Sequence, residues 1–475
     1  MALKVFSFLI LVGIVASSKP AIVQQDLWEQ IVTMRGSANV LVSFPQDTGI
    51  LSKVVNSLSP KVERSTKISA IKSALEASAS QSQERVTSFL EKTGVISYSS
   101  LWISNQIYIR DLKADLLYEL LQFEEITKIS LERMHNTFNP VGAAGPLSST
   151  QNREVKAEWG IYKIEAEAAN QLLRNVSGGT LPEIRVGILG TGAHATHEAI
   201  RDSFLGPYGW YDPHGVYDPP VDVVGVGTHE IGVIAGSNGV GVFPSAKWMA
   251  CRACADFFCG DYAILRCAEV FTCPLYPNDT LPDCSKAPHV VHGDVWTGPG
   301  DDWFDRSLEI WEAAGIIPVW PLGGGGPACS SARYPSESAK VIAVSGTTPE
   351  DVWYERSSAG PSMTSGRMKP EMVAPATNIL SAYNLDDTTL IPLSATSCAS
   401  AHVAGVVAIL KAYDPNLSFT QILIALARGA QREGLGLSVD DLVCGGIPVT
   451  TFPNNIFGFG RLNALGSLNY IIKHF

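Results

Sequence analysis

The chain changes texture part-way along its length. Up to about residue 134, apolar residues either alternate with polar ones or recur at helical spacing. "NVLVSF" (39–44) reads as a strand, and "KISAIKSALEASASQSQERVTSFLEKT" (67–93) follows the helical period. "YSSLWISNQIYI" (98–109) alternates as one strand, "LKADLLYELLQF" (112–123) is helical, and "ITKISLERM" (126–134) is a strand again. The order β-α-β-α-β predicts an open α+β plait with helices on one face. "NPVGAAGPLSST" (139–150) is rich in Gly, Pro and Ser and predicts an exposed linker and a domain boundary.

From residue 183 short runs become apolar at every position: "IRVGIL", "AKWMAC", "HVVHGDVW", "IIPVWP" and "KVIAVSG". Strands of this kind belong inside a parallel sheet covered on both faces. Helical segments at 303–315, 397–413 and 419–430 alternate with them, which predicts an α/β fold. Sites in such folds lie at the carboxyl ends of the strands.

At 475 residues the chain is long enough for two domains with separate cores. Its first residues, "MALKVFSFLILVGIVASSKP", combine Lys4, an apolar run and small residues ending at Ala16-Ser17-Ser18. That pattern predicts a secretory signal peptide over 1–18, too short for a comfortable membrane span. The expected protein is therefore secreted and extracellular, and no membrane partner is implied. A formal charge of −11, with no basic block, argues against nucleic acid as a partner. Sequons at Asn175, Asn278 and Asn416 are candidate glycosylation sites.

Nine cysteines all lie in the second half. Cys251, Cys254, Cys259, Cys267, Cys273 and Cys284 crowd into 251–284, which reads as a Cys-rich insertion, while Cys329, Cys398 and Cys444 are scattered. The cluster has no paired C-x2-C framework and no interleaved His, so disulfides are expected in place of zinc. An odd count leaves one thiol free, and the apolar surroundings of Cys398 mark it as that one.

The segment "VGILGTGAHATHE" (186–198) admits two readings. Gly190, Gly192 and Ala195 spell G-x-G-x-x-A, a dinucleotide-loop outline, and Asp212 lies at a suitable distance for a ribose contact. But "YGWYDPHGVYDPP" around Asp212 is turn-rich and supplies no second strand. The other reading gains from the rest of the chain. "LSATSCASAHVAGVVAIL" (393–410) resembles the "GTSMAxPHVAGxxALL" segment of subtilisin-like serine proteases, the S8 peptidases. "VGTHEIGVIAG" (226–236), "GVFPSAKWMACRAC" (241–254), "WEAAGIIPVWPLGGGGP" (311–327), "SSAGPSMTSGRMKPEMVAPATNI" (357–379) and "FGFGRLNALGSL" (457–468) resemble further segments of that family, in the family's order. The first region resembles the propeptide of the bacillopeptidase-F-like branch.

This resemblance implies a subtilisin-like three-layer α/β fold over 183–475 with a mostly parallel central sheet. It is preceded by a small α+β, ferredoxin-like propeptide domain over 19–140 and an entry segment over 141–182. It also implies an unusual site. The family's nucleophile position falls on Ser397, but Gly190 stands where the family has its triad Asp, Val226 where it has its triad His, and Gly324 where it has the oxyanion Asn. In subtilisin itself, losing the histidine costs about 10⁶ in turnover, and the oxyanion Asn is worth about 10²–10³. A serine without a base stays a protonated alcohol at neutral pH. His194, His197, His229 and His292 are the histidines near these motifs, and each reads as a surface or packing residue more readily than as a relocated base.

The expectation is thus a catalytically inactive homologue that binds an extended peptide, a protease inhibitor or an active paralogue. The alternative is an active endopeptidase using Ser397 with a displaced base. No cofactor is implied, and no carboxylate cluster points to the structural calcium that the family often carries.

Overall fold

The computed structural model describes residues 22–59, 61–95, 97–137, 141–142, 158–215, 219–276, 280–437 and 442–475. The signal-like stretch, Asn278 and almost all of the 139–150 linker lie outside them. The chain forms two compact units, one of residues 1–58 and 70–134, the other of 59–69 and 135–475. The division falls after Met134, a few residues before the Gly/Pro-rich stretch that marks it in the sequence.

The smaller unit contains β1 (Ala38–Ser43), the helix α1 (Arg64–Lys92) from Ala70 onward, β2 (Tyr98–Leu101), β3 (Gln106–Leu112), α2 (Ala114–Leu120) and β4 (Lys128–Leu131). Its sheet order is β2-β3-β1-β4, antiparallel throughout, the ferredoxin-like arrangement. Val40, Val42, Ile107, Ile109 and Ile129 form its core with Leu90 of α1. The single strand expected over 98–109 is two. Asn105 sits at the turn between them with φ +46°, and its side chain holds that conformation. Its Oδ1 accepts from Ser82 Oγ and Gln83 Nε2, both at 2.9 Å, and its Nδ2 donates to Pro45 O at 2.8 Å. Trp102 and Ile103 conceal this turn, because they continue the apolar residues of the flanking strands.

In the larger unit the elements follow as β5 (Met134–Thr137), β6 (Val141–Gly142), α3 (Ala166–Val176), β7 (Arg185–Gly190), β8 (Trp210–Tyr211), α4 (Val226–Ala235), β9 (Lys247–Arg252), β10 (Phe258–Gly260), α5 (Asp261–Thr272), β11 (Val290–Gly293), β12 (Val295–Trp296), α6 (Asp305–Ala314), β13 (Ile317–Pro321), β14 (Ile342–Thr347), β15 (Met372–Pro375), β16 (Ile379–Ala382), β17 (Leu390–Ser394), α7 (Thr396–Tyr413), α8 (Phe419–Gly429) and α9 (Ala464–His474). Seven strands form one sheet in the order β15-β14-β13-β11-β7-β9-β8, every pair parallel. Alternate residues face opposite layers. Val186, Ile188, Val290, Val319 and Val344 join the core beneath α4 and α7. On the other face a Cβ at Gly187 would lie 3.1 Å from the Phe271 ring of α5, and one at Gly293 would strike Trp320. Both glycines are therefore fixed by the close approach of an aromatic ring. The result is three layers, as the all-apolar strands predict.

Eight cysteines pair as Cys251–Cys267, Cys254–Cys259, Cys273–Cys284 and Cys329–Cys444, and Cys398 is free and buried. The stretch 251–284 is not set apart as an insertion. Cys251 lies on β9 of the central sheet and Cys267 on α5, so their bridge ties a strand to the helix that follows it.

Candidate active site

Ser397 is the second residue of α7, and the preceding Ala395 is extended with no side-chain cap. The helix begins at the carboxyl end of the sheet, so its first amides are left unpaired by the helix itself and carry the positive end of its dipole. Ser397 is 2% exposed.

Gly190 ends β7. The turn after it is locked to the start of α4, since Gly227 N donates to Thr191 Oγ1 at 2.9 Å. Gly192 requires glycine: its φ is +115°, and a Cβ there would sit 2.0 Å from Val221 O. Asp222 caps α4, accepting from Gly225 N at 2.7 Å and from Thr228 N at 2.9 Å. No helix opens directly after the glycines, and Asp212 is engaged by Arg252 at 3.0 Å. Neither the phosphate cradle nor the ribose contact of the dinucleotide reading is present.

Val226, the first residue of α4, is buried and apolar. One helical turn on, Glu230 is buried against the end of β7. A Cβ on Gly190 would lie 3.9 Å from both Glu230 Oε2 and Asp294 Cβ. These two carboxyls therefore line the space that opens because residue 190 has no side chain. Asp294, in the step between β11 and β12, is fully buried; its Oδ2 accepts from Thr137 Oγ1 at 2.6 Å. Neither oxygen of Glu230 makes a hydrogen bond of good geometry, although the Ser397 hydroxyl and the Asp294 carboxyl face it closely enough to shift its titration, and Asp294 Oδ1 makes none among the described residues. Burial pushes the Glu230 carboxyl up to about 8, with the facing Ser397 hydroxyl opposing that rise and Asp222 adding to it. Burial also raises Asp294 well above the carboxylate range, and the neighbouring Glu230 raises it further.

The four histidines are each accounted for. His292 Nε2 lies 2.8 Å from Ser400 Oγ, whose own proton goes to Ser397 O at 3.0 Å. With that hydroxyl proton committed, Nε2 carries the ring proton, and the bare Nδ1 faces Glu230 Oε2 at 3.4 Å. Burial lowers the His292 ring to about 4, so a neutral imidazole and a protonated Glu230 are mutually consistent at pH 7. His229 Nε2 donates to Ile379 O at 2.8 Å, away from the serine. His197 donates to Thr389 O at 3.0 Å, and His194 pairs with Asp387 at 2.8 Å near the surface. No histidine ring hydrogen-bonds Ser397 Oγ among the described residues.

The chain's own residues flank the serine on both sides. β5 pairs antiparallel with β12, Asn136 opposite Trp296 and Thr137 opposite Val295, and Thr137 N also donates to Phe257 O at 3.1 Å. β6 pairs with β17, Gly142 opposite Leu393 and Val141 opposite Ser394, just before Ser397. His135 anchors the first of these strands, with Nε2 2.5 Å from Asp261 Oδ1 and its ring stacked on Trp303 at 4.5 Å. Gly324 lines a cavity of about 470 Å³ beside Thr396 and Trp296. The nearest atom to a Cβ on Gly324 is Arg356 O at 4.0 Å, so the position has room for a side chain.

Residues 182–460 match the model of the subtilase family, Peptidase_S8. The chain belongs to that family. It is 27% identical to Bacillopeptidase F of Bacillus subtilis over 438 residues, 85% of this chain but only 29% of that protein. It is 24% identical to M-protease of Shouchella clausii over 408 residues, 83% of this chain and 94% of that protein. Subtilisin BL of Lederbergia lenta is 27% identical over 311 residues, 64% of this chain and 96% of that protein. No described helix is long and apolar enough to cross a membrane. Among the described residues no group of three or more His, Cys, Asp or Glu side chains could hold a metal ion. Asn175 and Asn416 are exposed, as glycosylation requires.

Glu230 and Asp294 are the site residues that the sequence motifs do not single out. Each is a lone acid within an otherwise apolar stretch, "VGTHEIGVIAG" and "HVVHGDVW". A charge in a segment patterned for full burial is the signal that finds them.

Proposed function

We propose that this subtilase-family chain is a secreted pseudoprotease that holds extended polypeptide in its cleft and does not cut it. The observation that carries this reading is the neighbourhood of Ser397. A protonated Glu230 faces it, the residue opening α4 is Val226, and the nearby imidazoles donate elsewhere. With its titration raised to about 8, Glu230 is mostly protonated at pH 7, so only a minor fraction of the chain holds a carboxylate able to accept the serine proton. The Ser397 amide at the head of α7 remains as a donor for a bound carbonyl, but Gly324 offers no side-chain donor. Gly190, Val226 and Gly324 then occupy the Asp, His and Asn positions of the family's machinery, and only the serine is kept.

Binding is the function such a site retains. In this structure β5 and β6 fill the edges of β12 and β17, and they show the backbone pairing that an extended peptide would use in their place. Candidate occupants are an extended peptide, a protease inhibitor or the prosegment of an active paralogue. Because no autogenous cut is expected, residues from about 19 to 140 should remain attached in the secreted protein. Intact-mass analysis of chain expressed in protease-deficient cells tests this: one species beginning near residue 19 is expected. A discrete cut between 137 and 158 that disappears in Ser397→Ala would overturn it. Glu230 favours a second reading, in which its ionised form serves as the displaced base. That reading requires activity to appear only as the pH passes 8.

A further inference from the structure

The cavity beside Gly324 has a charge character opposite to that of the chain. The protein carries a formal charge of −11, yet the described residues lining this cavity include Arg333 and Arg356 and not one Asp or Glu. The Arg333 guanidinium lies over the Trp296 ring, 5.2 Å from its centroid. Stacking fixes the plane of the fork while leaving its edge N–H groups free to donate. Neither arginine makes an ion pair with any described residue.

The cavity also lies where a bound peptide would present a side chain. One wall is Asn136 and Thr137 of β5, the strand added to β12, and another is Ala395 and Thr396 at the head of α7. β5 itself fills this edge of β12, so a peptide that takes its place on β12 passes along the rim toward Ser397.

We infer that this cavity is a specificity pocket for an acidic side chain, Asp or Glu, of the polypeptide held in the cleft. The inference rests on the peptide-holding reading above and adds the chemical class of the ligand. A carboxylate between the two guanidiniums gains charge-assisted, potentially bidentate hydrogen bonds, and the surrounding Trp296 and Tyr354 rings cover its aliphatic stem. A neutral amide of the same shape makes weaker bonds, and a lysine is repelled.

The test titrates Ac-Ala-Ala-Glu-amide and Ac-Ala-Ala-Gln-amide into the full chain, with binding followed by calorimetry. The Glu peptide should bind about tenfold more tightly, and the preference should weaken steeply with added salt. Arg333→Gln and Arg356→Gln should each remove most of that preference, weakening the Glu peptide far more than the Gln peptide, and unchanged thermal unfolding of each variant shows that it is folded. Equal affinities in the unmodified chain would overturn the acid preference and leave the cleft as a peptide site. Binding of neither peptide would overturn both proposals. Displacement of the Glu peptide by acetate at equal concentration would reassign the cavity to free small anions and overturn a peptide ligand.

Discussion

Replacing Glu230 by Gln should make the protein more stable above pH 8 and have little effect near pH 5. Glu230 is 1% exposed, and neither of its oxygens makes a hydrogen bond of good geometry among the described residues, so its charged form is penalised in the folded state. Its carboxyl is pushed up to about 8, mainly by that burial, from an ordinary value of 4.5. The sign follows from proton counting. Between these two values the folded chain holds a proton that the unfolded chain has released, so stability falls as pH rises across that window. Below it both states are protonated and the neutral acid costs little; above it the folded state must carry a buried charge. Gln keeps the shape and never ionises. At pH 8.5 the variant should gain on the order of 3 kcal/mol. Thermal unfolding at pH 5 and pH 8.5 measures this, and a pH-independent difference would show that Glu230 ionises freely in the fold. Asp294 is raised in the same direction, in part by Glu230 itself, so its own loss of stability with pH is smaller in the Gln variant and the contrast widens.

The second large effect concerns residue 190. On the pseudoprotease reading proposed above, Gly190→Asp places an acid at the family's triad position, and partial repair would then be expected. The geometry here points the other way. A Cβ at 190 already lies 3.9 Å from Glu230 Oε2, so the new carboxyl would join two buried acids with no imidazolium to offset it. The expected outcome is a loss of roughly 3 kcal/mol or more at pH 7, with no gain in hydrolysis. Gly190→Asn has nearly the same volume without the charge and should cost distinctly less. Comparable losses in the two variants would assign the effect to crowding and not to charge. With no side chain at Gly190, Glu230 and Asp294 border the space beside it, so an acid added there alone works against them.

Much of this architecture is legible in the sequence. Runs such as "IIPVWP", apolar at every position, identify strands covered on both faces, and "SCASAHVAGVVAILKAY" locates α7 to within a residue or two. The buried free Cys398 also follows from its apolar helix. Other features depend on side-chain geometry that no pattern encodes. "HVVHGDVW" reads as one strand, but the ladder with β7 ends at the bond from Asp294 N to Leu189 O at 3.0 Å, and beyond it the chain leaves the central sheet for a smaller one. Cysteine spacing allows many pairings, and only the placement of β9 against α5 selects Cys251–Cys267. Ser397, Gly190, Val226 and Gly324 stand in motifs that the sequence displays, whereas Glu230 and Asp294, the acids beside Gly190, come from positions where the motifs specify nothing.

The central claim is that Ser397 has no functioning base at neutral pH. The most direct measurement is labelling of the purified full chain with a fluorophosphonate probe at pH 7 and at pH 9.5, read by mass spectrometry of the Ser397 peptide. The account predicts labelling no greater than in Ser397→Ala at pH 7. Ser397-dependent labelling at pH 7 would contradict it. Labelling that rises only through pH 8 and vanishes in Glu230→Gln would identify the carboxylate as a displaced base.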